Sequence, residues 1–242
     1  MGREPDLPGQ TVVVIGGSSG MGLETARRAR EEGAEVILTG RNAEHLRQAA
    51  AEVDARAVAV FDVTDSAGLD QFFAGLQGPI DHLYMTAGGP YYAPLAELDF
   101  AEALRALNGH LLVPLRIGQH AVGKVRPGGT LLFMSGTGAR RPAKGQAIAA
   151  IGTAGIPALV ANLALEIAPI RVNAIAAGFV DTPLSARLLG ADLEARRAEL
   201  RATLPIGRVV GPADVAALAV HLMANTAVTG ATYDIDGGEQ LV

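Results

Sequence analysis

Cysteine is absent from this 242-residue chain, and so is tryptophan. Without thiols there is no disulfide scaffold, no Cys-ligated zinc and no cysteine nucleophile, and redox chemistry leaves the compartment open. Lysine occurs only at Lys124 and Lys144, and no run of Lys or Arg appears anywhere. With a net charge of -5, the chain lacks the electrostatic footprint of a partner for nucleic acid or an anionic membrane. The histidines, His45, His82, His110, His120 and His221, are scattered without metal-ligand spacing, so no metal is expected. Charged residues are scarce at 19%, while 49% of the chain is apolar and mean hydropathy is +0.27. That balance excludes a disordered protein and requires extensive burial.

The opening stretch MGREPDLPG is polar, holds two prolines and lacks the apolar core of a signal peptide, which points to the cytoplasm. The most apolar stretch, Ala147 to Ala161, contains Gly152, Thr153, Gly155 and Pro157 and is soon followed by Asn162 and Glu166. It falls short of the roughly 20 residues a bilayer needs and reads as a buried helix. Pro157 should kink it.

Short β-branched runs alternate with Ala, Leu and Arg-rich segments of helical period. Thr11–Ile15, Glu35–Thr39, Ala57–Phe61, Ile80–Met85, Thr130–Ser135 and Arg171–Ala176 read as strands, with a last one at Thr232–Ile235. Apolar strands separated by helices specify an α/β fold: a single doubly wound parallel sheet of about seven strands, Rossmann-like, with helices on both faces. Residues 1–10 read as an N-terminal tail and 11–242 as one domain. The charged, Leu-rich segment from Phe179 to Leu204 breaks the alternation and is expected as a mobile lid. Two long helices, at about Glu97–Val122 and Ala147–Ala168, are too apolar for a water-facing surface and predict a homo-tetramer or homodimer.

Directly after the first strand stands Gly16-Gly17-Ser18-Ser19-Gly20-Met21-Gly22, followed by a helical segment, Leu23 to Glu32. Glycines at 16, 20 and 22 let the backbone turn sharply and approach a pyrophosphate, while the helix N-terminus offers free N–H groups to it. A Gly-rich turn without a ligand is the bland alternative; strand before and helix after favour a dinucleotide. Where an NAD site carries an acid at the end of the second strand, this chain has Gly40, Arg41 and Asn42. An Asp at position 40 would repel a 2'-phosphate, whereas the planar fork of Arg41 can pair with it, so NADP(H) is the expected cofactor unless Arg41 is simply solvated.

These residues carry a resemblance that spans nearly the whole chain: the sequence resembles the short-chain dehydrogenase/reductases. The matching marks are the G-x-x-x-G-x-G spacing at Gly16, Gly20 and Gly22, Asp62-Val63 after the third strand and Ala87-Gly88 after the fourth. Asn108, Ser135, Arg171-Val172-Asn173-Ala174, Val180-Asp181-Thr182-Pro183 and Asp236-Gly237-Gly238 follow in order. The resemblance implies that Asp62 and Val63 hold the adenine and that Ala87 and Gly88 line the ribose side. It likewise implies that Val180 and Thr182 fix the nicotinamide amide and phosphate.

The family's chemistry rests on a Tyr-x-x-x-Lys pair, and this chain has none. Four residues beyond Tyr84, Tyr91, Tyr92 and Tyr233 stand Gly88, Leu95, Ala96 and Gly237. Counting back from Leu163-Ala164-Leu165-Glu166 puts the expected pair at Ala149 and Thr153. The family's Asn-Asn-Ala-Gly is altered to Met85-Thr86-Ala87-Gly88. Ser135 remains to bond a carbonyl and Asn108 to brace the helix, with Tyr91 and Tyr92 as substitute acids on the carboxyl edge of the sheet and Lys144 behind them. Two readings stand: an NADP(H)-dependent oxidoreductase reducing a small-molecule carbonyl with an atypical proton donor, or an NADP(H)-binding protein without turnover, acting as a sensor or structural subunit.

Overall fold

The computed structural model describes residues 7–242. The polar opening read for a signal falls mostly outside them, and residues 7–10 pack on the fold: Leu7 is fully buried and its N–H donates to Glu32 O at 3.0 Å.

The chain alternates strand and helix from β1 (Thr11–Ile15) through α1 (Gly20–Glu31), β2 (Glu35–Gly40), α2 (Ala43–Glu52), β3 (Ala57–Val60), α3 (Ser66–Gly75) and β4 (Ile80–Met85). It continues with α4 (Phe100–Leu107), α5 (Val113–Ala121), β5 (Val125–Gly136), α6 (Ala147–Glu166) and β6 (Arg171–Ala177). The remainder is α7 (Pro183–Leu189), α8 (Leu193–Thr203), α9 (Pro212–Ala224) and β7 (Thr232–Ile235). All seven strands pair in parallel, in the order β3-β2-β1-β4-β5-β6-β7. The sheet grows outward from β1 to β3, then crosses back to β4, which opens a crevice beyond the carboxyl ends of β1 and β4.

Strand alternation divides the core in two. Val13, Ile15, Leu83, Met85 and Phe133 face a layer made by α3, α5 and α6. Val12, Val14, Leu38, Tyr84 and Leu132 face α1, α2 and α9. Arg171 and Asn173, polar residues within β6, serve this frame. Arg171 donates to Leu222 O and Asn225 O at 2.8 and 2.9 Å, tying off the carboxyl end of α9, and Asn173 donates to Val228 O at 3.1 Å.

β3 is an edge strand, so Val58 and Val60 are 42% and 52% exposed. Two expectations are corrected. α6 reaches 20 residues and is long and apolar enough to cross a membrane, yet only 28% of its central window is buried. One stripe, Ala149, Gly152, Ile156, Val160 and Leu163, packs inward at helical spacing, and the outer face stays apolar and exposed at Ile151 and Leu165. The helix runs through Pro157 uninterrupted. The single helix expected from Glu97 to Val122 runs from Phe100 to Ala121, but with a π-helical turn, Asn108–Leu112, between α4 and α5. Pro114, at the start of α5, has no N–H to continue the α-helical ladder across that join.

Candidate active site

The crevice at the strand crossover holds a cavity of about 430 Å³. Its floor is the glycine loop. Gly16 and Gly17 donate to Thr39 O at 3.1 and 3.0 Å, and Thr86 and Ala87 donate to Ile15 O at 2.8 and 2.9 Å, so the loop is clasped between the ends of β2 and β4. Gly16 turns at φ +97°, and a Cβ there would stand 2.6 Å from Ala87 N; a Cβ at Gly22 would stand 2.3 Å from Gly16 O. These two positions admit no side chain. At Gly88, with φ +120°, a Cβ would meet nothing within 4 Å, so backbone is exposed to open space where a ligand could approach.

Ser19 caps α1 without a side-chain bond, and the first turn carries no acidic residue. The helix therefore turns bare N–H groups and a positive dipole end toward the cavity. At the far end, Asp62 accepts from the Thr64 N–H and hydroxyl at 2.9 and 2.7 Å, and Arg41 Nη1 lies 3.6 Å from its other oxygen. Burial alone would raise this carboxyl, but the Thr64 hydrogen bonds and the Arg41 charge outweigh it and hold it below the usual range. The donor set, backbone N–H groups in the middle with a guanidinium and a carboxylate at one end, fits a dinucleotide whose adenosine carries a 2'-phosphate.

The cavity gathers most of the expected cofactor residues: Gly16, Ser18, Ser19, Gly20, Met21, Gly22, Arg41, Asp62, Val63, Ala87, Gly88 and Thr182. Two are not part of its lining. Asn42 caps α2, accepting from His45 N–H at 2.9 Å, and Val180 is buried in a bridge to Val210. Thr182 caps α7 in a capping box with Ser185 and sits across from Gly20, whose Cβ would come 3.6 Å from it.

The expected catalytic residues separate. Tyr91 reaches the cavity, but its hydroxyl accepts from Asp99 N–H at 2.9 Å. Asn108 instead faces a second groove of about 840 Å³ between α5 and α6. Ser135 and Tyr92 are not among the wall residues. Ala149 is buried in the inward stripe of α6, and Thr153 Oγ1 donates to Ala149 O at 3.0 Å and accepts from Ala139 N–H at 3.2 Å. No residue of α6 lines the cavity. Lys144 is exposed in the preceding loop.

Sequence reasoning missed the opposite wall: Glu102, Arg105, Ala106, Gly109 and His110. Their spacing of three, one, three and one is one helical face, a signal readable from the sequence once α4 is placed beside the crevice. Of the segment 179–204, only Thr182, Pro183, Leu184 and Arg187 reach the cavity. The rest docks elsewhere, with Leu200 and Leu204 buried, Arg197 on Asp181 at 2.7 Å and Arg196 on Glu239 at 2.5 Å.

A family model described as enoyl-(acyl carrier protein) reductase matches residues 15–240. The short-chain dehydrogenase/reductase ATR9 of Stachybotrys chlorohalonatus is 32% identical, over 97% of this chain and 98% of its own. Among solved structures, the MalC reductase/Diels-Alderase from Malbranchea aurantiaca superposes with a TM-score of 0.91 at 26% identity, covering 99% of this chain and 100% of that one. A small-chain dehydrogenase in complex with NADPH superposes with a TM-score of 0.83 at 28% identity, covering 97% and 100%.

Proposed function

The chain belongs to the short-chain dehydrogenase/reductase family, and from that premise we propose that it is an NADP(H)-dependent reductase of small-molecule carbonyls with an atypical proton donor. The observation that carries this reading is the cavity itself. A glycine floor without room for side chains, the uncapped start of α1 and Arg41 in place of an acid form one continuous seat for NADP(H). When bound there, NADP(H) supplies a hydride to an electrophilic carbon.

Residues of this chain do the rest. Gly16, Ser18, Ser19, Gly20, Met21 and Gly22 hold the pyrophosphate by backbone N–H groups, and Arg41 with Asn42 closes around the 2'-phosphate. Asp62 and Val63 receive the adenine, Ala87 and Gly88 the ribose, and Val180 and Thr182 the nicotinamide side. The segment Phe179–Leu204 covers the substrate through Leu184 and Arg187, within a single domain of residues 11–242. Orientation of a carbonyl against the cofactor supplies most of the rate, and the altered part is the acid and its tuning.

A second copy of the chain covers the exposed apolar side chains of the α4–α6 side, Phe100, Leu104, Leu112, Leu115, Ile151 and Leu165, making a homodimer or homo-tetramer. Light scattering at micromolar concentration reads this directly: a mass of 24.9 kDa would reject it.

The second reading, an NADP(H)-binding protein without turnover, is favoured by the commitment of Thr153 Oγ1 to backbone and the apolar Ala149. Calorimetry with NADPH, alongside NADPH consumption with ketones, aldehydes and quinones, separates the two. Binding with turnover supports the reductase; binding without turnover of any of them supports the second reading.

A further inference from the structure

We propose that His110 is the proton donor of this reduction, a catalytic residue seated between α6 and the cavity; the proposal rests on the NADP(H)-dependent reading above. Asn108 lines the α5–α6 groove, whereas Gly109 and His110 continue the cavity-facing stripe of α4 into the π-helical turn Asn108–Leu112. The ring then lies against α6. A Cβ built at Gly152 would fall 3.2 Å from both Cβ and Cγ of His110 and 3.5 Å from Cδ2. Gly152 belongs to the helical turn between Ala149 and Thr153, so the missing side chain at 152 is what admits the imidazole.

The ring is also oriented. Nδ1 stands 2.9 Å from Ala106 O, and because a carbonyl only accepts, Nδ1 carries a hydrogen in either protonation state. The proton that comes and goes is therefore on Nε2, which has no hydrogen-bond partner among the described residues. On the α4 side and beside it, most of the other polar groups of the wall are committed. Thr86 Oγ1 donates to Gly16 O at 3.0 Å, Thr64 Oγ1 to Asp62, and Thr182 caps α7. Glu102 pairs with Arg105, and guanidinium groups do not release a proton near neutral pH.

The step balances simply. As the carbonyl carbon gains the hydride from NADPH, the C=O electron pair moves onto oxygen. The Nε2–H bond of the imidazolium breaks, and its proton passes to that oxygen to give the alcohol. The imidazole is left neutral with its hydrogen on Nδ1, and solvent reprotonates Nε2.

The test has two readouts. In wild-type protein, diethyl pyrocarbonate labelling mapped by mass spectrometry is expected to modify His110 at least fivefold less with saturating NADPH than without, while exposed His45 reacts equally in both. His110→Gln is then expected to lose about 100-fold to 10,000-fold in NADPH-dependent reduction of a benzaldehyde. Reduction of a quinone should fall less than about fivefold, because the phenolate formed there needs no proton from the protein. Equal labelling with and without NADPH overturns the proposal. So does retained aldehyde turnover in the variant, an equal loss for aldehyde and quinone, or wild-type binding of NADPH without turnover. Absence of NADPH binding by calorimetry overturns the underlying reading instead, and calorimetry distinguishes that failure from the others.

Discussion

One wall of the cavity, built by β1, the glycine loop and the start of α1, is packed so tightly that backbone meets backbone. The other, where α6 stands behind α4 and the π-helical turn, packs side chain against side chain, with small residues, Ala149, Gly152 and Thr153, on the turn of α6 that faces it. At Gly22 a single Cβ would come 2.3 Å from Gly16 O, a fixed backbone atom; at Gly152 it would come 3.2 Å from a histidine ring. The first wall has no freedom to vary without losing its ligand. The second leaves more room, and the space beside Gly152 is filled by His110. Cofactor seating and proton supply are thus separable parts of this fold, held by different elements.

Gly22→Ala strikes the first wall and carries the largest expected effect. Because the clash is with backbone, the loop must shift, and NADPH affinity should fall more than 100-fold by calorimetry. Overpacking of this kind costs about 1 to 3 kcal/mol, which lowers the unfolding midpoint by several degrees. Unchanged affinity would mean that the loop is not the phosphate seat.

His82 gives the contrast between two histidines a thermodynamic edge. It lies buried in β4, with Nε2 2.5 Å from Gln10 Oε1 and Nδ1 without a partner. Burial first, then the nearby Arg171 charge, push it down to about 4 from 6.5. The unfolded chain therefore binds more protons between those values, so stability is full above about pH 6.5 and declines as pH falls toward 4. The loss between pH 7 and pH 4.5 is about 2 kcal/mol, measured by urea unfolding at the two values. His82→Gln should flatten that slope while leaving NADPH binding intact, because His82 is remote from the cavity wall.

Much of the first wall was legible because its constraints are local. Gly16, Gly20 and Gly22 must be glycine for reasons of φ and close approach, and the strand before them and helix after them are visible in a short window. The parallel sheet was equally plain, since short β-branched runs such as β1 (TVVVI) and β2 (EVILTG) alternate with helical segments. The second wall was less legible because tertiary packing decides it. Nothing local shows that a π-helical turn follows α4, or which face of α4 lies against the crevice, and that face decides that His110 lines it and Asn108 does not. The exposed face of α6 was hidden for a related reason: an all-apolar helix reads as buried, and which stripe faces the sheet is set by register with β5 and β6.

Gly152→Ala tests the second wall by displacing the ring rather than removing it. Alanine favours helix by about 1 kcal/mol over glycine, so stability should hold or rise. Aldehyde reduction should nevertheless fall about tenfold or more, since a displacement of 1 Å can cost a hundredfold. NADPH affinity should change less than twofold. A parallel loss of affinity and rate would place Gly152 in the cofactor wall.

Arg41→Ala returns to the first wall with a smaller effect. A charge-assisted pair with a 2'-phosphate is worth about 1.5 to 3 kcal/mol, or ten- to a hundredfold. The lower end is expected, because Arg41 is largely exposed and already leans on Asp62 at 3.6 Å. The NADPH to NADH affinity ratio should fall about tenfold. An unchanged ratio would remove Arg41 from cofactor selection.

Tyr91→Phe carries the smallest expected effect and bears most directly on where the proton comes from. The ring of Tyr91 reaches the cavity, which makes it the natural rival of His110. Its hydroxyl, however, accepts from Asp99 N–H at 2.9 Å, and Asp99 in turn caps α4 through Ala101 N–H at 2.8 Å. The hydroxyl is therefore a brace at the entry of α4 on an exposed loop. Removing it forfeits one hydrogen bond, about 0.5 to 1.5 kcal/mol of stability, and water can replace it there. Aldehyde reduction should stay within twofold of wild type, and Tyr92→Phe, at a side chain 51% exposed and off the wall, should do the same. A hundredfold loss in Tyr91→Phe would move the donor from the α6 side of the cavity to the loop after β4 and reverse the division of labour between the two walls.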